Sequence, residues 1–125
     1  MTDLRIDPEY DSPSVFLSKD KAKFEIGGKS MPADVTKFYG PVLAWMKEYK
    51  KDPLDKTLLD FKLLYFNTAS SKLILDILMI MEEIQEMGKE VLVRWHSLKD
   101  DDDMVEAGEE YADMTDLTFE HHTFE

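Results

Sequence analysis

Three observations predict a single α/β (α+β) domain with a mixed β-sheet and about three helices. A chain of 125 residues with 43% hydrophobic and 34% charged side chains suffices for one domain with one modest core. Short apolar runs in the N-terminal part alternate with turn residues. From Thr57 to Trp95 the pattern reads strand, helix, strand, and elements of these lengths join parallel strands through a right-handed crossover. Residues 1–125 are expected to form one domain, without repeats, low-complexity tracts or long linkers.

Leu4-Arg5-Ile6 is expected as an edge strand ended by Asp7-Pro8. Val15-Phe16-Leu17 and Lys23-Phe24-Glu25-Ile26 flank polar residues and predict a hairpin, with Gly27-Gly28 stopping its second strand. Ser30 is the expected N-cap of a helix starting near Pro32. Val35, Phe38, Val42, Trp45, Met46 and Tyr49 recur at helical spacing along it. Pro41 cannot donate to the Lys37 carbonyl, which predicts a kink or a late helix start. Asp52-Pro53 ends that segment. Thr57 to Phe66 reads as a central strand, followed by a helix to Met87 closed by Gly88 as a C′ residue. Val91 to Trp95 is the next strand. Asp100–Asp103 opens a last helix with Met104, Val105, Gly108, Tyr111 and Ala112 facing inward, and Thr118 to Phe124 is a final strand.

The formal charge is −12, unevenly placed. Residues 1–99 hold 15 basic and 16 acidic side chains, whereas Asp100 to Glu125 hold 11 acids and no Lys or Arg. A chain so charged would be repelled by nucleic acid and by anionic membranes. The start has no apolar signal region, and the longest apolar stretch, Leu73 to Met81, is nine residues broken by Asp76. Without cysteine there is no disulfide, thiolate zinc site or thiol nucleophile. A cytoplasmic protein without a membrane partner or cofactor is expected.

The corner where the central strand enters its helix is the expected functional site. Backbone N–H groups at a helix start are unpaired and partly positive, so Asn67, Thr68 or Ser70 can cap them. They also receive a phosphate, which would make Thr68 a regulatory hydroxyl with Ser71 beside it and Lys72 as counterion. On the helix wheel, Leu73, Ile77, Ile80, Ile84 and Met87 form the expected buried centre, with Ile74 and Met81 beside it. Leu75 and Met79 fall on the polar side in line with Thr68 and Lys72, and this strip is expected to dock a partner.

The run Leu64-Tyr65-Phe66-Asn67-Thr68-Ala69-Ser70-Ser71-Lys72 resembles the SiaC family of bacterial regulatory phosphoproteins. Phe38-Tyr39-Gly40-Pro41-Val42-Leu43-Ala44-Trp45 and Arg94-Trp95-His96 share the likeness, which covers most of the chain. The resemblance implies a fold similar to the STAS-like anti-sigma-factor-antagonist domain. It also implies phosphorylation of Thr68 by a cognate Ser/Thr kinase and removal of the phosphate by a PP2C-like phosphatase. The unmodified form would bind and activate a diguanylate cyclase, raising cyclic di-GMP and favouring biofilm or aggregation. A partner switch of the anti-sigma-antagonist type, releasing a transcription factor, is the alternative.

Catalytic chemistry is not expected. No P-loop, dinucleotide glycine motif or nucleophile elbow occurs, and Asp100–Asp103 lacks the EF-hand pattern. His121-His122 with Glu120 and Glu125 matches no closed metal site, so an acidic metal-binding enzyme is a distant third reading.

Overall fold

The computed structural model describes residues 1–125. Its elements are β1 (Leu4–Ile6), β2 (Ser14–Ser18), β3 (Lys23–Ser30), α1 (Val35–Lys50), β4 (Lys56–Phe66), α2 (Thr68–Glu86), β5 (Glu90–Leu98), α3 (Asp102–Met114) and β6 (Thr118–Phe124). The six strands form one mixed sheet in the order β1-β2-β3-β4-β5-β6, so spatial order repeats chain order. β1, β2 and β3 pair antiparallel, and β3 to β6 run parallel, each parallel pair joined by one helix. Three crossovers of one hand, each stepping one strand further, put all three helices on one sheet face.

Strand alternation sorts the side chains accordingly. Leu59, Phe61 and Leu63 of β4 and Val91, Val93 and Trp95 of β5 are buried with Ile74, Ile77, Leu78 and Met81 of α2. Between them along the strands, Asp60, Lys62, Arg94 and His96 belong to the other, helix-free face.

Four local expectations are corrected. Gly27-Gly28 does not end β3, which runs on to Ser30 through a register shift at Gly28/Lys29 in its pairing with β4. Gly28 takes φ +95° at that irregularity, a backbone region that side chains disfavour. Ser30 is therefore a strand residue, and Asp34 caps α1 by accepting from the Lys37 N–H at 3.1 Å. α1 begins at Val35 and continues through Pro41, which sits at its seventh position. Tyr39, outside the expected apolar set, is fully buried.

The buried stripe of α2 is also rotated. Ile74, Ile77, Leu78, Ile80, Met81 and Ile84 are buried, Leu73 is only partly so, and Met87 is exposed. α1 packs against α2, and that neighbour pulls the stripe toward Leu78. The last helix is capped by Asp101, which accepts from the Met104 N–H. No helix is long and apolar enough to cross a membrane.

Candidate functional site

Asn67 sits between β4 and α2 in extended conformation and is the N-cap: its side-chain oxygen accepts from the Ser70 N–H at 2.9 Å. Thr68 is thus the first helical residue, and it is exposed. Three elements clamp this first turn. From β3, the Ser30 carbonyl accepts from the Asn67 N–H at 3.0 Å and from the Ser70 hydroxyl at 2.9 Å. The Ser30 hydroxyl donates back to Ser70 Oγ at 2.9 Å. That uses its only hydrogen, so the Tyr39 hydroxyl of α1, 2.5 Å away, is the donor to Ser30 Oγ. Burial pushes the Tyr39 phenol up, against a smaller downward effect of the Ser30 bond. From α3, the Tyr111 hydroxyl donates to the Ser71 carbonyl at 2.8 Å. Burial, with Tyr39 and Glu110 nearby, pushes this phenol up as well, so both tyrosines remain neutral donors.

The three hydroxyls of the corner are therefore not equivalent. Ser70 is completely buried and bonded both ways. Ser71 is half-buried and donates to the Thr68 carbonyl at 2.6 Å. Thr68 alone of the three lies in the open, at the positive end of α2.

Thr68, Lys72, Leu75 and Met79 follow one another along one face of α2, as the helical repeat requires. Lys72 is exposed and its ammonium lies 3.7 Å from Asp76 Oδ2. Met79 is 50% exposed. Leu75 is half-buried against the core and lines a hollow between α2 and α3 together with Phe66, Lys72, Ala107, Tyr111 and Met114. Sequence reasoning identified the strip on α2 but missed this second wall. The inward spacing of Tyr111 was its only signal.

A second polar cluster lies on the helix-free face. Asp60 of β4, 6% exposed, accepts from Arg94 at 2.7 Å and lies 2.8 Å from His96 Nε2. Burial pushes Asp60 up, but the hydrogen bonds from Arg94 and His96 outweigh it and hold the carboxyl below the usual range. The His96 ring stacks on His122, which lies 2.9 Å from Glu120. His121 and His122, adjacent in the chain, point to different faces of the sheet. His122 joins His96 on the open face, whereas the His121 ring approaches Gly108 of α3.

Comparison with known proteins gives one picture. The family described as SiaC family regulatory phosphoprotein matches residues 6–124. An uncharacterized protein of Pseudomonas aeruginosa strain UCBPP-PA14 is 29% identical over 119 residues, 95% of this chain and 94% of that protein. The structure of apo-SiaC from Pseudomonas aeruginosa is similar with a TM-score of 0.88 and 30% identity, covering 98% of this chain and 99% of that one. A SiaC chain crystallised in complex with the diguanylate cyclase SiaD, whose activator it is, is similar with a TM-score of 0.91 and 28% identity. The match covers 98% of this chain and 100% of that one.

Proposed function

The chain belongs to the SiaC family of regulatory phosphoproteins, and on that premise we propose that its unmodified form binds and activates a diguanylate cyclase. It acts as one non-enzymatic regulatory domain in the cytoplasm. A cognate Ser/Thr kinase phosphorylates Thr68, and a PP2C-like phosphatase restores the hydroxyl. The product of the controlled enzyme is cyclic di-GMP, a promoter of biofilm and aggregation.

The observation that supports this reading is the inequality of the corner hydroxyls. A kinase must reach its acceptor, and Thr68 is exposed where Ser70 is sealed inside. A phosphate on Thr68 adds about −1.5 to −2 charges at the head of the Lys72–Leu75–Met79 strip. An effector surface fitted to a neutral hydroxyl and apolar side chains would then desolvate an unpaired dianion, which is costly. The cyclase would be released.

The experiment is intact-mass analysis after incubation with the cognate kinase, with cyclase activity measured in parallel. Wild type gains one phosphate and loses its activating effect. Thr68→Ala gains none and still activates, whereas Thr68→Glu activates poorly. Phosphate incorporation into Thr68→Ala at the wild-type level overturns the acceptor assignment.

A further inference from the structure

The two edges of the sheet differ. β1 is three residues long, whereas β6 offers seven, Thr118–Phe124. β6 contains neither lysine nor proline and pairs with β5 without a bulge, so it lacks the usual devices that keep an edge strand from joining another chain. The Phe124 carbonyl accepts from the Lys99 N–H at 2.9 Å, so the even-numbered residues of β6 direct their backbone groups to β5. Phe119, His121 and Thr123 alternate with them and turn N–H and C=O outward, free for a further strand. The order of side chains decides which strand fits. Laid antiparallel on its own copy and centred on His121, β6 sets Glu120 opposite His122 of the second copy, Phe119 opposite Thr123 and Thr118 opposite Phe124. Only the outward backbone groups bond in that register. Centring on Glu120 sets that carboxylate against itself, and centring on His122 takes Glu120 away from its imidazole.

The helix layer agrees with the same two-fold axis. The His121 ring approaches Gly108, so the axis passes beside the middle of α3. Val105 and Ala112, one turn to either side of Gly108, are half-buried on the flank of α3 turned away from α2. α3 packs on both β5 and β6, which puts it and its symmetry copy about two strand spacings apart, the ~10 Å of packed helices. Antiparallel about the axis, Val105 of each copy meets Ala112 of the other. We propose that β6 and this flank of α3 form a two-fold interface with a second copy of the chain, joining the two sheets into one. Glu109 meets its counterpart near the axis and each copy carries −12, so the pairing is weak at low ionic strength and tightens as salt screens the charge. Thr68 and the hollow beside α2 stay uncovered, and the dimer displays two of each.

Sedimentation of the full chain from about 1 μM to about 1 mM is the test. The expected result is a reversible dimer whose dissociation constant falls at least about threefold between about 0.05 M and about 0.5 M salt. Thr123→Pro removes an outward donor and leaves the β5 ladder intact, and it should weaken dimerisation at least about tenfold. His122→Glu sets carboxylates against each other across the interface and should weaken it by about the same factor. Adding Glu120→His to that variant exchanges the pair and should restore dimerisation to within about threefold of wild type. Where circular dichroism shows that a strand variant has not folded, Ala112→Glu on the flank of α3 takes its place, with the same loss expected. A chain that stays monomeric at about 1 mM in about 0.5 M salt overturns the interface. A dimer that none of these variants weakens forms through another face and overturns it as well. So does an exchanged pair that dimerises no better than His122→Glu alone.

Discussion

Ser70 and Thr68 carry similar hydroxyls two residues apart and face opposite fates. The Ser70 hydroxyl is enclosed with Ser30 and Tyr39, and each oxygen there has a defined donor or acceptor. Ser70→Ala would leave the Ser30 hydroxyl and carbonyl without that partner in a dry site, at a cost of about 1–3 kcal/mol. Urea unfolding should show the loss, while Thr68, exposed and outside this network, remains phosphorylatable. The corner itself was legible, because a polar Asn-Thr pair after an apolar strand and before a helical pattern has few other meanings. Which hydroxyl is free was not legible. That depends on Ser30, 40 residues upstream, and no local rule marks a strand-end serine as an anchor. The expected capping role of Ser30 failed for the same reason: parallel pairing with β4 reaches Phe66 and keeps Ser30 in the strand.

At the scale of elements, helical periodicity located all three helices, and alternation located the strands. Which stripe each helix buries was read less well, since it depends on neighbours: α2 packs on α1 as well as on the sheet and buries Leu78, whereas Met87 is its C-cap and stays exposed. The seat of α3 depends on a missing side chain. A Cβ at Gly108 would come within 2.5 Å of Trp95 Cδ1 and 2.9 Å of His121 Cε1. Trp95 is buried and its indole N–H donates to the Met104 carbonyl at 2.9 Å, so the ring cannot swing aside without breaking that bond. Gly108→Ala should therefore lift α3 from the sheet and destabilise the fold by about 1–3 kcal/mol, less the small gain in helix propensity. A lowered urea midpoint is the expected result. A midpoint at or above wild type would show that α3 tolerates the extra methyl.

For the molecule as a whole, charge and pH act together. Most acids of the last 26 residues lie on the outside of α3 or in the turns at its two ends, so they cost self-repulsion without disturbing the core. Asp60 works differently. Its carboxyl is held below the ordinary value of about 3.9, so its contribution is complete above that value. It is lost as pH falls through the lowered value of the folded state. Asp60→Asn should be clearly less stable than wild type at pH 6, where Arg94 and His96 lose their anion. That difference should shrink steadily below about pH 4. Urea unfolding at both pH values checks it, and a difference independent of pH would remove Asp60 from the acid response.

The agreement of strand order with chain order has a consequence in time. Every strand pairs with its predecessor, so the sheet can grow at one edge while the chain is still being synthesised. The first turn of α2 gains its anchorage to Ser30 and Tyr39, through Asn67 and Ser70, as soon as it has emerged. The Tyr111 bond and the second wall of the hollow beside α2 arrive only with α3. A half-made chain therefore displays Thr68 before α3 is in place, so under the proposed function the hydroxyl would be open to a kinase before the domain is complete.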